Sequence, residues 1–100
     1  MNEQSCCRKK AVPRDEATRK CLIHRLNRIE GQIRGIRGMV ENEIYCNEIL
    51  IQCAAVSAAL NAFQRELLAD HVRSCVKDRL QEGDETVVDE LVATMQKMMR

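Results

Sequence analysis

Apolar residues follow a heptad spacing in the first half of the chain. Between residues 22 and 40 they recur at intervals of four, three, four, three and four positions (Leu22, Leu26, Ile29, Ile33, Ile36, Val40). This spacing predicts an α-helix that packs along another helix through one side. Asp15 and Thr18 are the candidates to cap its start, and the polar residues 41–43 mark its end.

A second apolar series with the same kind of spacing starts at Cys46 (Cys46, Ile49, Cys53, Val56, Leu60, Phe63, Leu67, His71). No helix breaker follows until Gly83, so this helix is predicted to be much longer than the average of about 11 to 12 residues. A short amphipathic helix follows Gly83. The sequence predicts an all-α, three-helix protomer, with helices over about 16–42, 45–82 and 84–99.

Three soft donor residues lie on the predicted long helix. His71 and Cys75 are four positions apart, so they share one helical face. Cys46 lies about 37 Å away from His71 along a continuous helix, at about 1.5 Å per residue. One ion joins all three only if a second chain runs antiparallel, and the midpoint falls in an alanine-rich segment (Ala54, Ala55, Ala58, Ala59, Ala62). The spacing predicts an antiparallel dimer with two identical metal sites.

Two thiolates and one imidazole favour Cu(I), which accepts three soft ligands, whereas Zn(II) normally takes four. Each of these residues also has a plain structural interpretation. A cysteine on an apolar seam is usually a small buried hydrophobe, and we expect that for Cys53. Cys6, Cys7 and Cys21 are candidates for accessory thiols, with an idle tail or helix surface as the alternative.

Composition indicates one small folded domain, because 45% of the residues are hydrophobic and 31% are charged. We expect a basic, disordered tail over residues 1–14 and a single helical domain over residues 15–100. We expect no membrane span and no export signal, and hence a cytoplasmic protein. In that compartment the six cysteines indicate metal or redox chemistry rather than stable disulfides.

Positive charge is concentrated in the first part of the chain. Residues 1–37 contain ten Lys and Arg against four acidic residues, and the remainder contains six against eleven. Arg25, Arg28 and Gln32 fall on one flank of the first seam. Such a cluster can bind a polyanion, although a solvated helix edge explains it better when the cluster is taken alone.

At this point the residues resemble a known family. The run from Arg25 to Gly35 (RLNRIEGQIRG), then Tyr45 with Cys46, then Asp70 with His71, and finally Cys75 resemble the copper-sensitive operon repressors (CsoR). Their wider group includes nickel/cobalt, formaldehyde and persulfide sensors. The resemblance extends over about residues 18–98. Persulfide sensors replace the histidine with cysteine and formaldehyde sensors lack the last cysteine, so this donor set is similar to the Cu(I)-sensing branch.

The resemblance implies an antiparallel dimer with a four-helix-bundle core, and a dimer of dimers (a homotetramer) in solution. It also implies that the metal-free protein binds operator DNA through Arg25 and Arg28, and that Cu(I) releases it to derepress copper-efflux genes. Tyr45 and Glu90 match positions that hydrogen-bond the ligand histidine and couple the metal to the third helix.

Several alternatives remain open on the sequence. The same fold could sense another soft metal, or sense persulfide, electrophiles or oxidants through Cys46 and Cys75 or through Cys6 and Cys7. A Cu(I) buffer without a DNA partner is a further possibility. An enzyme is not expected, because nothing supplies a nucleophile and base pair or a pocket for a small-molecule substrate.

Overall fold

The computed structural model describes residues 14–99, and the regular structure in that range is entirely helical. Helix α1 spans Glu16–Glu41, helix α2 spans Cys46–Gln81 and helix α3 spans Thr86–Met98. The predicted all-α fold with three helices is confirmed. The predicted tail, apart from Arg14, lies outside the described residues, as do Cys6 and Cys7.

Helices α1 and α2 both end in a Schellman motif. The residue that follows the cap has a positive φ in each case, 54° at Glu43 and 89° at Gly83. The backbone N–H of this residue and that of the next one donate to carbonyls three and five positions back. These bonds satisfy carbonyls that a helix end leaves open. Glycine adopts this backbone freely, whereas Glu43 holds it with a Cβ present.

Helix α2 contains a π-helical turn at Val72–Val76. The heptad spacing predicted uninterrupted α-helix here, so the turn is a correction to that prediction. The Ser74 hydroxyl donates a hydrogen bond to the Asp70 carbonyl at 2.7 Å. This bond gives the carbonyl a partner at the point where the backbone hydrogen bonding changes. Single π turns inside α-helices occur frequently at functional sites. This one follows His71 directly and contains Cys75.

Residues 14–67 form one compact unit, and most of its apolar seam is exposed. Among the described residues of this unit, only Leu22 and Ile29 are buried. A Cβ added at Gly31 would meet nothing closer than 3.8 Å, and at Gly35 nothing within 4 Å. Cys53 is exposed, which corrects the expectation of a buried side chain within the protomer, and its neighbours on the seam, Ile49 and Val56, are only half-buried.

Residues 68–99 belong to a second compact unit that has a core of its own. The π turn contacts the α-helical end of α2 and also contacts α3. Cys75, Val76 and Val87 are buried, and Val87 is fully so. The core also contains one charged side chain, Arg79, which is 4% exposed. This unit therefore buries a polar group as completely as it buries its apolar ones.

Helix α2 is long and apolar enough to cross a membrane by length and composition, with a mean hydropathy of 1.3 in an 18-residue window. Length and composition alone are weak evidence for a span, so the absence of a membrane span stays a prediction. The same properties suit a soluble helix whose apolar seam packs against other helices, and the heptad spacing of α2 is typical of such packing.

Candidate metal and DNA sites

His71 directly precedes the π turn, and Cys75 lies inside it. His71 is half-buried and Cys75 is buried. A metal would bind the Cys75 sulfur as the thiolate. The predicted pair of donors therefore lies at an unusual piece of backbone in the C-terminal unit.

The third predicted donor belongs to the other unit. Cys46 is the first residue of α2 and is exposed with a free thiol. Tyr45 precedes it and is also exposed. Among residues 14–99, no group of three or more His, Cys, Asp or Glu side chains is placed to hold a metal ion. The described part of one chain thus does not form the predicted three-ligand site by itself.

Glu90 has a charged partner that the sequence did not predict. Its Oε1 atom accepts a hydrogen bond from Arg79 Nη1 at 2.6 Å, and Arg79 Nη2 lies 2.8 Å from Asp84 Oδ2. We name Arg79, Asp84 and Glu90 the arginine cluster. The signal that could have found it is spacing, because Arg79 continues the four-residue interval from His71 to Cys75.

The arginine cluster alters the acidity of its members. Burial acts to lower the pKa of Arg79, but hydrogen bonds and charge from Asp84 and Glu90 outweigh it and raise that pKa above its ordinary value. Hydrogen bonds from Thr86 and Arg79 lower the pKa of Asp84 to about 2. The Thr86 backbone N–H also donates to Asp84 Oδ1 at 3.0 Å. Asp84 therefore holds the start of α3 while it compensates the buried guanidinium.

Helix α1 carries most of the basic residues in the described part of the N-terminal unit, and several are already paired. Glutamates three or four positions away lie within 4.0 Å of four of them, in the pairs Arg19–Glu16, Lys20–Glu16, Arg34–Glu30 and Arg37–Glu41. Arg25 and Arg28 make no ion pair with residues 14–99. The two predicted DNA-contact arginines are therefore the ones whose charge is not compensated on α1.

Arg25 and Gln32 also have unused hydrogen-bonding atoms. Arg25 Nε and Gln32 Oε1 are inaccessible to solvent and have no hydrogen-bond partner in the described residues. Buried polar atoms usually have one. The two residues lie seven positions apart, which is about two turns along one side of α1. This flank of α1 combines uncompensated charge with unsatisfied polar groups.

A family model described as metal-sensitive transcriptional repressor matches residues 18–97. The chain belongs to this repressor family. The copper-sensing transcriptional repressor CsoR of Bacillus subtilis is 45% identical over 80 residues, which cover 79% of each chain. The copper-sensing repressor RicR of Mycobacterium tuberculosis is 44% identical over 59% of this chain and 62% of its own length.

Two solved structures of transcriptional regulators are similar to this fold. CsoR from Geobacillus thermodenitrificans with Cu(I) has a TM-score of 0.83 and 37% identity, and the match covers 89% of this chain and 94% of the other. The nickel-responsive regulator InrS has a TM-score of 0.66 and 40% identity over 78% and 89% of the two chains. The family consists of transcriptional repressors rather than enzymes, and repressors act by binding DNA.

Proposed function

We propose that this member of the repressor family is a cytoplasmic Cu(I) sensor. Its metal-free form binds operator DNA, and Cu(I) bound by Cys46 of one chain and His71 and Cys75 of another lowers that affinity. The observation that carries the proposal is the Cys/His/Cys donor set in a chain 45% identical to a copper-sensing repressor. The genes derepressed in this way would include those for copper efflux.

The chemistry of the donors fits this ion. Two thiolates and an imidazole are soft ligands, and Cu(I) is stable with three of them. His71 and Cys75 lie within one compact unit and Cys46 within the other, and residues 14–99 of one chain hold no three-donor group. A site shared by two chains would explain the soft donor set, the division of the donors between two units and the lack of a three-donor group within residues 14–99 of one chain.

Assembly of several chains is supported by the uncovered seam. Leu26, Ile33, Val40 and Leu60 are all more than 40% exposed, although their heptad spacing is typical of side chains buried between helices. An antiparallel dimer with a four-helix core would cover them, and a dimer of dimers would present four copies of α1. In this proposal residues 15–100 act as a single domain, as the sequence predicts.

DNA binding is assigned to the flank of α1 that bears Arg25, Arg28 and Gln32. Phosphate oxygens would pair with the uncompensated charges of Arg25 and Arg28, and the Gln32 amide would bind a phosphate or a base once its side chain turns outward. Each phosphate contact releases condensed counterions, so operator affinity should fall steeply as salt rises.

Metal binding and DNA binding are then coupled through shape. Cu(I) must bind the shape that has lower DNA affinity, and a coupling of about 1–3 kcal/mol changes operator affinity by roughly 5- to 150-fold. In this proposal Tyr45 and Glu90 hydrogen-bond His71, fix its tautomer and carry the change towards α1 and α3.

An anaerobic titration of reduced protein on fluorescent operator DNA tests the function. Cu(I) should weaken operator binding by about 5- to 150-fold, and His71→Ala should retain metal-free DNA binding but lose this response. Cys46→Ser should behave like His71→Ala, whereas Cys53→Ser, which changes another exposed free thiol of α2, should respond like the parent. Operator affinity that is unchanged by Cu(I) would rule the proposal out.

A second candidate keeps the fold and changes the signal. The exposed free thiols of Cys21, Cys46 and Cys53 support testing a thiol sensor that responds to persulfide, electrophiles or oxidants, with Cys6, Cys7 and Cys21 as accessory thiols. The likeness to nickel-responsive InrS supports testing Ni(II) as a third signal. Peroxide, a polysulfide (which transfers sulfane sulfur to a thiolate) and Ni(II) should each be titrated in place of Cu(I), and the signal that releases DNA at the lowest concentration identifies the branch.

A further inference from the structure

Arg79 is the one charged side chain buried among residues 14–99. A guanidinium removed from water needs nearby negative charge and hydrogen bonds to replace its hydration. Two carboxylates provide these. Asp84 Oδ2 lies 2.8 Å from Arg79 Nη2, and Glu90 Oε1 lies 2.6 Å from Arg79 Nη1. Both acids are about one-third exposed. Arg79 is thus fixed from two sides, and it fixes two carboxylates in return.

The two carboxylates lie on different parts of the C-terminal unit. Asp84 is in the turn before α3 and binds the Thr86 backbone and hydroxyl. Glu90 is inside α3, one turn beyond the fully buried Val87. Arg79 itself is on the end of α2, four residues after Cys75. The arginine therefore ties the helix that bears His71 and Cys75 to the helix that bears Glu90.

The contacts of Arg79 with Asp84 and with Glu90 join different parts of the chain. The Asp84 contact closes a local turn, because only five residues separate its ends. The Glu90 contact spans eleven residues and joins two helices. A carboxylate has two oxygens and about four acceptor positions, so Glu90 can accept from a second donor while Arg79 occupies Oε1.

We propose that Arg79 is the positioning residue for Glu90. Its buried guanidinium holds the Glu90 carboxylate on α3. Helix α3 packs against the π turn, which follows His71 and contains Cys75, so a change at these two donors moves α3. The proposal rests on the proposed Cu(I) function. Arg79 acts through Glu90 and touches no metal itself.

The experiment compares Arg79→Met, Arg79→Lys and Asp84→Asn with the parent, all reduced and in the full-length chain. Three quantities are measured for each: Cu(I) affinity against a chromophoric competitor, metal-free operator affinity, and the ratio of operator affinities without and with Cu(I). Thermal melting followed by circular dichroism reports the fold. Asp84→Asn is the matched control, because it weakens the same cluster and leaves the Arg79–Glu90 contact in place.

We expect Arg79→Met to keep metal-free operator affinity and Cu(I) affinity within about threefold of the parent while the response falls below about twofold, against the parent's roughly 5- to 150-fold. Arg79→Lys retains the charge without the forked geometry, so its response should be intermediate. Asp84→Asn should melt at a lower temperature yet respond like the parent. Glu90→Gln added to Arg79→Met should cause no further loss, because both changes remove one interaction.

Two results would overturn the positioning role: a parental response in Arg79→Met, or an equal loss of response in Asp84→Asn, which would make the cluster structural support only. If Arg79→Met does not fold, Arg79→Lys decides, since a reduced response supports the role and a parental one refutes it. A parent that ignores Cu(I) removes the proposed function and this inference together. If the parent and the Arg79 variants respond equally to Cu(I), the proposed function stands and only the positioning role of Arg79 is refuted.

Discussion

The two compact units of this chain differ in how far they bury their apolar side chains. Residues 14–67 are rich in heptad-spaced aliphatic residues, yet only Leu22 and Ile29 among them are buried. Residues 68–99 are fewer, but they bury Cys75, Val76 and Val87 together with a charged arginine. The shorter unit is the better packed one.

This difference indicates where each unit obtains its stability. Burial of apolar surface contributes about 25 cal/mol per Å², and the N-terminal unit leaves much of that contribution unused in a single chain. Its exposed seam favours association with other chains. The C-terminal unit gains from its own core and from the arginine cluster, so its order should depend less on protein concentration.

The largest effect is expected on the exposed seam. Leu60→Glu should dissociate the assembly, because a glutamate buried between helices would lose its hydration at a cost of several kcal/mol. Sedimentation equilibrium at micromolar concentration measures the change. Asn61→Glu adds the same charge at the neighbouring exposed position and should leave the assembly intact. Equal behaviour of the two variants would mean that the seam is not the interface.

The second prediction concerns the core of the C-terminal unit. Val87→Ala should lower the free energy of unfolding by about 2 kcal/mol, since it removes two fully buried methyl groups and leaves a cavity. Val88 is 43% exposed, and Val88→Ala should cost less than about 0.5 kcal/mol. Urea denaturation compares the pair. A larger loss at Val88 would place the important contact on the outer face of α3.

The third prediction tests the charge pattern on α1. Arg28 is exposed and has no ion pair with the described residues, whereas Arg37 lies 3.4 Å from Glu41. Arg28→Ala should weaken operator binding by about 1 kcal/mol and make it less sensitive to salt, because each phosphate that is no longer bound keeps about one condensed counterion. Arg37→Ala should change neither quantity appreciably. Fluorescence anisotropy over a series of salt concentrations separates them.

The smallest effect is the acid sensitivity of the C-terminal unit. Thr86 and Arg79 lower the pKa of Asp84 from 3.8 to about 2, so the ionised carboxylate is favoured in the folded state. Its contribution to stability is complete above pH 3.8 and is lost as the pH falls towards 2. The melting temperatures of the parent and Asp84→Asn should therefore converge over this range. A constant difference between them would contradict the assignment.

The sequence predicted the three helices because heptad spacing depends only on local periodicity, and both Schellman turns lie where the polar residues 41–43 and Gly83 interrupt that spacing. It did not predict the π turn, since its extra residue leaves the four-residue interval between His71 and Cys75 unchanged. Arg79 was missed for a different reason. A charged residue near a helix end is usually solvated, and only two acids brought from elsewhere in the chain allow its burial.

The donor residues were found by type and spacing, but their assembly into one site was not testable from a single chain. His71 and Cys75 follow from one helix, whereas in the proposed site Cys46 would come from a second copy of the chain. The partner of Glu90 shows the same limit. The family resemblance indicated that Glu90 matters, and the structure of residues 68–99 shows that it binds Arg79.

The π turn at Val72–Val76 also affects how positions are matched between relatives. A π turn holds one more residue than an α-turn, so it has the same geometry as a single insertion into a regular helix. A relative whose helix is regular here would align correctly only with a one-residue gap inside this segment. Counting without the gap would displace every later position by one, and the role of Glu90 would be given to Asp89 or Leu91.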